Sequence, residues 1–471
     1  MIKIGLFGIG LDTYWGQFEG LQERLIEYQS IIKKRIEGFE VEVIDAGMVD
    51  NPYKANTAAA LFNTSDVDCI FLFISTYAPS QNVLPLAQKT KVPIIVLNLQ
   101  PEKAIDYKKI NAIGDRGKMT GEWLAYCQSC VAPEIASVFN RANIKFHLIS
   151  GYLDEDYVWN EIKEFMDALE VVKTMNNNRV GVLGHYYNGM LDVYSDLTQQ
   201  AATFGNHFEI LEFGTLKKLR DNVSEKEILQ KTEEFKELFD VSPECDPDEV
   251  RRAAQTSVAL DALVDAFQLG SLAYYYEGDG DSAYEDIVTS LIPGFTLLTG
   301  KNVPVAGECE IKNVQAMKIM DALGSGGSFS EFYAMDFEDD VILLGHDGPA
   351  HFTIAEGKVG LVPVPVYHGK PGKGLSIQMK VASGPVTLLS VCQNSIGEIY
   401  LLTAEGASVD GPTLHIGNTN SRYKFSISIR EFINQWSMAG PSHHCAIGVG
   451  HKSSTIGKIA DLLNIRHINI C

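Results

Sequence analysis

The stretch "IKIGLFGIG" (residues 2–10) is a run of apolar and small residues, and the amphipathic stretch "FEGLQERLIEYQSIIKKRI" (residues 18–36) follows it. The first has the length and composition of a buried strand, and the second has the apolar spacing of a helix. Alternation of such strands and helices is the signature of βαβ units. The stretch therefore predicts that the chain begins with a doubly wound parallel sheet.

The same alternation continues to about residue 323. Strand-like apolar runs recur at residues 40–49, 68–76, 92–100, 144–152, 179–187 and 207–216, with helix-like segments between them. The polar stretch "MNNNRV" (residues 175–180) interrupts the series and leads into a fresh strand, which marks a domain boundary. We therefore expect two doubly wound, Rossmann-like α/β domains, at residues 1–177 and 178–325.

The pattern of strand-like and helix-like segments changes after "GSGGSF" (residues 324–329). Strand-like runs now follow one another across turns, with little helix between them. That pattern is typical of an antiparallel sheet or barrel. Residues 326–471 are therefore predicted to form a mostly antiparallel, β-rich C-terminal domain.

Composition excludes several classes of partner. The 471 residues carry a formal net charge of −21, which repels nucleic acid and anionic lipid. No apolar run approaches the roughly 20 residues that span a bilayer, and the N-terminus looks like a strand, not a signal peptide. The eight scattered cysteines suit a reducing compartment. We expect a cytoplasmic protein with a neutral ligand or a metal cation, and no nucleic-acid or membrane partner.

Two common nucleotide motifs are missing. Gly8 and Gly10 begin a GxGxxG pattern, but Thr13 stands where the third glycine is needed. No P-loop pattern occurs either. These glycines are better explained by a tight passage from strand to helix.

Histidines and carboxylates carry a stronger signal. Eight of the eleven histidines lie after residue 340. His346 follows a predicted strand, and His443 and His444 precede another; adjacent residues of an extended chain point to opposite faces, so at most one of this pair should meet a given site. Glu308 precedes a predicted helix and Glu331 follows it, so that a reversal of the chain would bring both carboxylates into one cleft. Two carboxylates with two histidines form a ligand set for Mn²⁺, Fe²⁺, Co²⁺ or Zn²⁺.

Four segments resemble signatures of the L-arabinose isomerase family, within the wider L-fucose/L-arabinose isomerase group. They are "AGECEIKNVQAMKIM" (306–320), "GGSFSEFYAMDF" (326–337), "ILLGHDG" (342–348) and "AGPSHHCAIGVGH" (439–451). They occur in the family's order with similar spacings, and a weaker likeness extends through residues 184–216.

The resemblance implies an enzyme, an aldose–ketose isomerase of carbohydrate metabolism that acts on a free sugar. The expected reaction is L-arabinose to L-ribulose, or that of a related sugar such as L-fucose or D-galactose. It also implies a homo-oligomer, either a hexamer or a tetramer, and a bound Mn²⁺ or another divalent ion such as Co²⁺.

The resemblance also implies roles for particular residues. The metal ligands would be Glu308, Glu331, His346 and His444, although the third position falls on either His346 or Asp347. Glu308 and Glu331 would also be the catalytic acid/base pair, which moves protons through a cis-enediol. Met190 resembles a family residue that lines the sugar pocket, and we expect Tyr77, Asp347 and His443 to bind the substrate as well.

Two other classes of protein remain open from the sequence. A non-catalytic sugar-binding or sensor protein would use aromatic platforms such as Tyr77 but would not need the carboxylates and histidines. A metal-dependent hydrolase would use the same ligands with an open coordination position for water.

Overall fold

The computed structural model describes the backbone of residues 1–277 and 284–471, apart from residues 365, 368, 369 and 372, and no side chain between 365 and 372. The chain divides into two compact units, Met1–Glu170 and Val171–Cys471. The division into three domains stays a prediction.

The first unit is built on a five-stranded sheet in the order β2-β1-β3-β4-β5, with every neighbouring pair parallel. Its strands are β1 (Lys3–Ile9), β2 (Glu42–Val49), β3 (Cys69–Ile74), β4 (Ile94–Gln100) and β5 (Phe146–Tyr152). Its helices are α1 (Leu21–Glu37), α2 (Pro52–Ser65), α3 (Leu84–Lys89), α4 (Tyr107–Asn111), α5 (Arg116–Leu124) and α6 (Ala132–Arg141), and α7 (Asp156–Asn176) runs on into the second unit. The doubly wound parallel sheet predicted from residues 2–36 is confirmed.

Close packing explains the glycines of the first strand. A Cβ atom at Gly8 would lie 2.4 Å from the side-chain oxygen of Gln29, and one at Gly10 would lie 2.7 Å from the Trp15 ring. Strand β3 beside them is buried along its whole length, as expected for a parallel strand covered on both faces. These glycines therefore leave room for neighbouring side chains at the carboxyl end of β1.

The second unit begins with another parallel sheet, in the order β10-β9-β6-β7. Its strands are β6 (Arg179–Gly184), β7 (His207–Leu211), β9 (Ser271–Tyr275) and β10 (Val305–Ala306), while β8 (Phe239–Val241) belongs to a small separate sheet. The helices are α8 (Leu197–Phe204), α9 (Phe213–Asp221), α10 (Glu225–Leu238), α11 (Pro247–Phe267), α12 (Glu285–Val288), α13 (Ile292–Thr299) and α14 (Ile311–Ala322).

A seven-stranded sheet follows, in the order β17-β20-β11-β12-β19-β18-β21. Because β17 also pairs with β18, six of its strands close into an antiparallel barrel. The strands that follow α14 in the chain are β11 (Gly326–Asp336), β12 (Val341–His346), β13 (Val359–Pro363), β14 (Val366–Tyr367), β15 (Lys370–Pro371), β16 (Leu375–Gln378), β17 (Gly384–Gln393), β18 (Ile399–Val409), β19 (Thr419–Phe425), β20 (His444–Val449) and β21 (Arg466–Asn469). The last helices are α15 (Ile429–Met438) and α16 (Ser453–Leu463). This confirms the predicted β-rich C-terminal part.

Helix α14 joins the two sheets of the second unit. It packs on β9 and β10 of the parallel sheet and on β11, β17 and β20 of the barrel. Every residue from Ile311 to Met320 is buried, because both sides of the helix are covered. The start of α14 is therefore fixed between the two sheets.

In the described part of the chain, no helix combines the length and apolar character that crossing a membrane requires.

Candidate metal centre

Glu308 lies in a strained turn between β10 and α14. Both Glu308 (φ 48°) and Cys309 (φ 58°) adopt the left-handed conformation, which costs a residue with a side chain roughly 1–2 kcal/mol. Two main-chain hydrogen bonds hold the turn, from Tyr187 N to Glu308 O (3.2 Å) and from Cys309 N to Tyr274 O (2.8 Å). Strain of this kind persists where the surroundings fix the backbone, and it is common at functional sites.

The turn directs the Glu308 carboxylate at two imidazoles. Glu308 Oε2 lies 3.2 Å from His444 Nε2 and 3.6 Å from His346 Nε2. All three side chains are buried, and one ligand atom from each lies within 4.8 Å of those of the other two. Atoms bound to one metal ion at about 2.0–2.2 Å must be this close to one another. Glu308 is thus part of a buried cluster and not a solvated turn residue.

Phe329 supports both imidazoles of the cluster. Its ring centroid lies 4.4 Å from that of His346, edge-on, and 4.4 Å from that of His444. A Cβ atom at position 307 would come within 3.2 Å of the Phe329 ring and 3.7 Å of His346. Gly307 therefore lets Glu308 approach the two histidines closely.

Glu310 orients His444 from the side opposite Glu308. Its Oε2 atom lies 2.5 Å from His444 Nδ1, and both side chains are about 1% exposed. A histidine that donates from one nitrogen to a carboxylate presents the other nitrogen to a metal in a fixed direction. Glu310 was not predicted from the sequence. Its signal was a second carboxylate in "GECEIK", two residues after a predicted ligand.

Strand pairing places Glu331 beside the same cluster. In β11 it lies opposite His444 of β20 on one side and opposite Gly345 of β12 on the other. Side chains directly opposite on neighbouring strands share a face of the sheet. Accordingly Glu331 forms a second group with His443 and His444, whose ligand atoms again lie within 4.8 Å of one another.

The two adjacent histidines do not point to opposite faces. Their ring centroids lie 3.8 Å apart, and a ring nitrogen of each is close to Glu331. The expectation from strand alternation fails because β20 begins at His444, so that His443 precedes the strand. His443 is held instead by the Asp192 carboxylate, 2.6 Å from its Nδ1 atom.

The structure separates the two candidates for the third ligand position. His346 is buried next to Glu308, whereas Asp347 is exposed and its Oδ1 accepts a hydrogen bond from Ser376 Oγ (3.2 Å). Burial alone would lower the pKa of His346, but the Glu308, Glu331 and Asp347 carboxylates outweigh it and raise that pKa. The geometry favours His346 as a ligand.

Tyr333 is a further residue near the carboxylates that the sequence analysis missed. Burial is the main cause that raises the pKa of its hydroxyl, and Glu331, Asp347 and Glu308 raise it further, so that the phenol stays neutral. Asn418 Nδ2 donates to this hydroxyl (2.8 Å). The pairing of β11 with β12 is irregular between Phe332 and Ala334, at the position of Tyr333. Such irregularities commonly redirect a side chain near a site.

The remaining predicted residues lie in different places. Met190 is half-buried in the segment that follows β6. In the same segment, Tyr187 N donates a hydrogen bond to Glu308 O. Tyr77 belongs to the first unit, where it packs partly buried against the apolar core. The structure therefore leaves the substrate-binding role of Tyr77 as a prediction.

Comparison with known proteins identifies relatives over most of the chain. The L-arabinose isomerase of Clostridium beijerinckii is 22% identical over 429 residues, which cover 86% of this chain and 82% of the relative. The L-arabinose isomerase of Bacillus subtilis is also 22% identical and covers 80% of this chain and 76% of the relative. The chain is similar to L-arabinose isomerases over most of its length. No family model matches it.

A third relative is named for a different sugar. The sulfoquinovose isomerase of Priestia aryabhattai is 18% identical over 401 residues, which cover 85% of this chain and 84% of that protein. These relatives are all named as sugar isomerases, and the similarity over most of the chain supports an enzyme of that class.

Proposed function

We propose that the protein is a metal-dependent aldose–ketose isomerase that acts on a free, neutral sugar. The observation that carries this proposal is the convergence of Glu308, His346 and His444 in one buried cluster, with Glu331 directly opposite His444. The four side chains come from the turn after β10 and from three neighbouring barrel strands. They match the ligand set that the family resemblance implies.

The donor atoms fit a divalent ion of intermediate hardness. Carboxylate oxygens and imidazole nitrogens without thiolate suit Mn²⁺ or Co²⁺ better than structural zinc. Cys309 and Cys445 lie next to the cluster in sequence, but burial raises the pKa of both thiols, that of Cys309 to about 12. Both thiols therefore stay protonated and are poor metal ligands.

The chain's own residues supply the proton transfers. A bound divalent ion would polarise the aldose carbonyl and stabilise negative charge on the sugar oxygens. We assign Glu308 and Glu331 as the acid/base pair: one removes the proton from C2 and returns it to C1, and the other moves a proton between O1 and O2 through a cis-enediol. The Phe329 ring packs against both imidazoles and holds them in place beside the two carboxylates.

Electrostatics favour a neutral substrate over an anionic one. Glu308, Glu310 and Glu331 give the site an excess of negative charge that a sulfonate or phosphate would meet at close range. The buried ammonium of Lys312 is nearby, but it is engaged by the main-chain oxygen of Asp192 (2.5 Å). We therefore propose L-arabinose, or a related neutral aldose such as L-fucose or D-galactose, in preference to a sulfonated sugar.

A panel of aldoses tests this proposal. The metal-depleted protein is incubated with each sugar, with and without Mn²⁺, and ketose formation is measured. We expect turnover of at least one neutral aldose that EDTA abolishes and Mn²⁺ or Co²⁺ restores. Glu308→Gln and Glu331→Gln should each reduce kcat by about 10²- to 10⁴-fold in a folded protein.

The same experiment separates the two alternative classes. A sensor protein would bind a sugar without forming ketose and would keep its affinity after metal removal. A hydrolase would cleave glycosides or esters with Mn²⁺ present and leave free aldoses unchanged. Either result would contradict the proposed isomerase.

Assembly and location complete the proposal. We propose a homo-oligomer, either a hexamer or a tetramer, because the family resemblance implies one; light scattering on the purified protein measures its mass. All eight cysteines are free, which agrees with a cytoplasmic location.

A further inference from the structure

The segment between β6 and α8, residues 185–196, is hydrogen-bonded to residues of the candidate metal centre and of α14. Tyr187 N donates to Glu308 O (3.2 Å), and Lys312 Nζ donates to Asp192 O (2.5 Å). Within the segment, the Tyr186 hydroxyl donates to Ser195 O (3.0 Å). These bonds attach the segment both to the strained turn and to the first turn of α14.

Asp192 is the residue of this segment that reaches the histidine pair. Its Oδ2 atom accepts two hydrogen bonds from His443, one from the main-chain N (3.0 Å) and one from Nδ1 (2.6 Å). Its main-chain oxygen accepts from Ser442 Oγ (3.3 Å) as well as from Lys312. Both ends of Asp192 are therefore held, although its side chain is 43% exposed.

We propose that Asp192 is a positioning residue that fixes His443 in the tautomer protonated at Nδ1 and so leaves Nε2 as the acceptor for a sugar hydroxyl. A carboxylate only accepts hydrogen bonds, so the nitrogen facing it must carry the hydrogen. In the neutral form of the ring, the other nitrogen has a free lone pair. A ring nitrogen of His443 lies within 4.8 Å of ligand atoms of Glu331 and His444, two residues of the proposed metal centre.

The geometry distinguishes this arrangement from an ordinary surface ion pair. An exposed pair of flexible side chains contributes little and adopts many conformations. Here one oxygen engages both the backbone and the ring of the same residue, which fixes the rotation of the His443 side chain. The same contact explains why His443 turns toward the site despite lying next to His444.

The role in sugar binding rests on the proposed function, whereas the tautomer does not, and two experiments separate them. The first is ¹⁵N NMR of the metal-free, full-length protein labelled at histidine, with His443→Gln to assign the signals. We expect a protonated Nδ1 and an unprotonated Nε2 in the wild type. Asp192→Asn, whose amide can donate, should shift His443 toward the other tautomer, and Asp192→Glu should preserve the original one. A wild-type ring protonated at Nε2, or no change in Asp192→Asn, overturns the proposal.

The second experiment measures steady-state kinetics with Mn²⁺ and the best aldose of the panel. Asp192→Asn should raise KM by about tenfold, as expected for one lost hydrogen bond, with a smaller change in kcat, and Asp192→Glu should recover most of the loss. Affinity for Mn²⁺ should stay within about twofold, because Asp192 contacts none of the four proposed ligands. The control is Asp196→Asn, which alters the N-cap of α8 on the same segment and should change neither KM nor the His443 signals.

The outcomes are distinguishable. If no aldose is converted, the isomerase proposal fails and the NMR result still decides the tautomer. If the tautomer is as expected but KM is unchanged in Asp192→Asn, the positioning role in sugar binding is refuted while the isomerase proposal stands.

Discussion

Glu310 and His444 form a buried pair in which the carboxylate oxygen lies 2.5 Å from Nδ1 of the imidazole. Glu310 precedes the first residue of α14, and His444 is the first residue of β20. The pair therefore links the helix to the barrel while it turns His444 Nε2 toward Glu308, 3.2 Å away. A residue outside the proposed ligand set thereby fixes the direction of His444, one of the proposed ligands.

Replacement of this carboxylate should weaken metal binding. We expect Glu310→Gln to reduce the affinity for Mn²⁺ by about 10- to 100-fold, because the amide neither fixes the tautomer of His444 nor increases its basicity. Isothermal titration of the metal-depleted protein measures the change. Glu405→Gln is the matched control, since Glu405 Oε2 also lies near a histidine, 3.7 Å from His451 Nδ1, outside the cluster. Equal affinities of Glu310→Gln and the wild type would contradict the role of Glu310.

Removal of the Tyr333 hydroxyl should affect the sugar more than the metal. In Tyr333→Phe the hydrogen bond from Asn418 Nδ2 is lost, together with a neutral hydroxyl beside Glu331. We expect kcat/KM to fall about tenfold, while Mn²⁺ affinity is unchanged. Tyr53→Phe, at an exposed position of the first unit, serves as the control. A matching loss of Mn²⁺ affinity would show that Tyr333 supports the ligands instead.

In the strained turn, a glycine variant should be more stable than an alanine variant, which is the reverse of the usual order of stability. Within helices and strands, glycine is less stable than alanine by roughly 0.5–1 kcal/mol. Cys309 has a φ of 58°, where an L side chain is strained by roughly 1–2 kcal/mol. We therefore expect Cys309→Gly to be more stable than Cys309→Ala by about 1 kcal/mol, although both lose the buried sulfur. Urea denaturation of the metal-free variants gives this difference, and a more stable alanine variant would show that position 309 is unstrained.

Metal affinity should fall as the pH is lowered through the pKa of His346. Burial would lower that pKa from 6.5, but Glu308 and the other nearby carboxylates outweigh burial and raise it. In the metal-free protein, the stability from the charged imidazole is therefore fully present below pH 6.5 and is lost as the pH rises through the raised value. A metal binds the neutral ring, so Mn²⁺ must displace this proton, and its apparent affinity falls by roughly tenfold per pH unit below that pKa.

Titrations with Mn²⁺ from about pH 8 to about pH 6 follow this competition at the histidine. His346→Asn should bind Mn²⁺ more weakly at every pH and with a shallower pH dependence. His207→Asn, at an exposed histidine of the parallel sheet, should behave as the wild type does. A wild-type affinity that does not vary with pH would contradict the proposed place of His346 in the metal centre.

The local order of strands and helices could be read from the sequence, because apolar periodicity depends on neighbouring residues alone. Residues 2–36 predicted the parallel sheet, and the change after "GSGGSF" predicted the antiparallel part. Glu308, Glu331, His346 and His444 were also singled out, by residue type and by family resemblance. The sequence left open whether this part is an open sheet or a barrel, and the pairing of β17 with β18 that closes the barrel was not predicted, since no local pattern specifies which distant strands pair.

The sequence by itself therefore determined which segments are strands and helices and which side chains have the chemistry to bind a metal. Only the tertiary structure brought Glu310 to His444, Asn418 to Tyr333 and Asp192 to His443, across 134, 85 and 251 positions of the chain. Such contacts arise from the pairing of strands and the seating of α14 between two sheets, which are fixed by packing over the whole unit. The spacing of these residues along the chain does not predict such contacts.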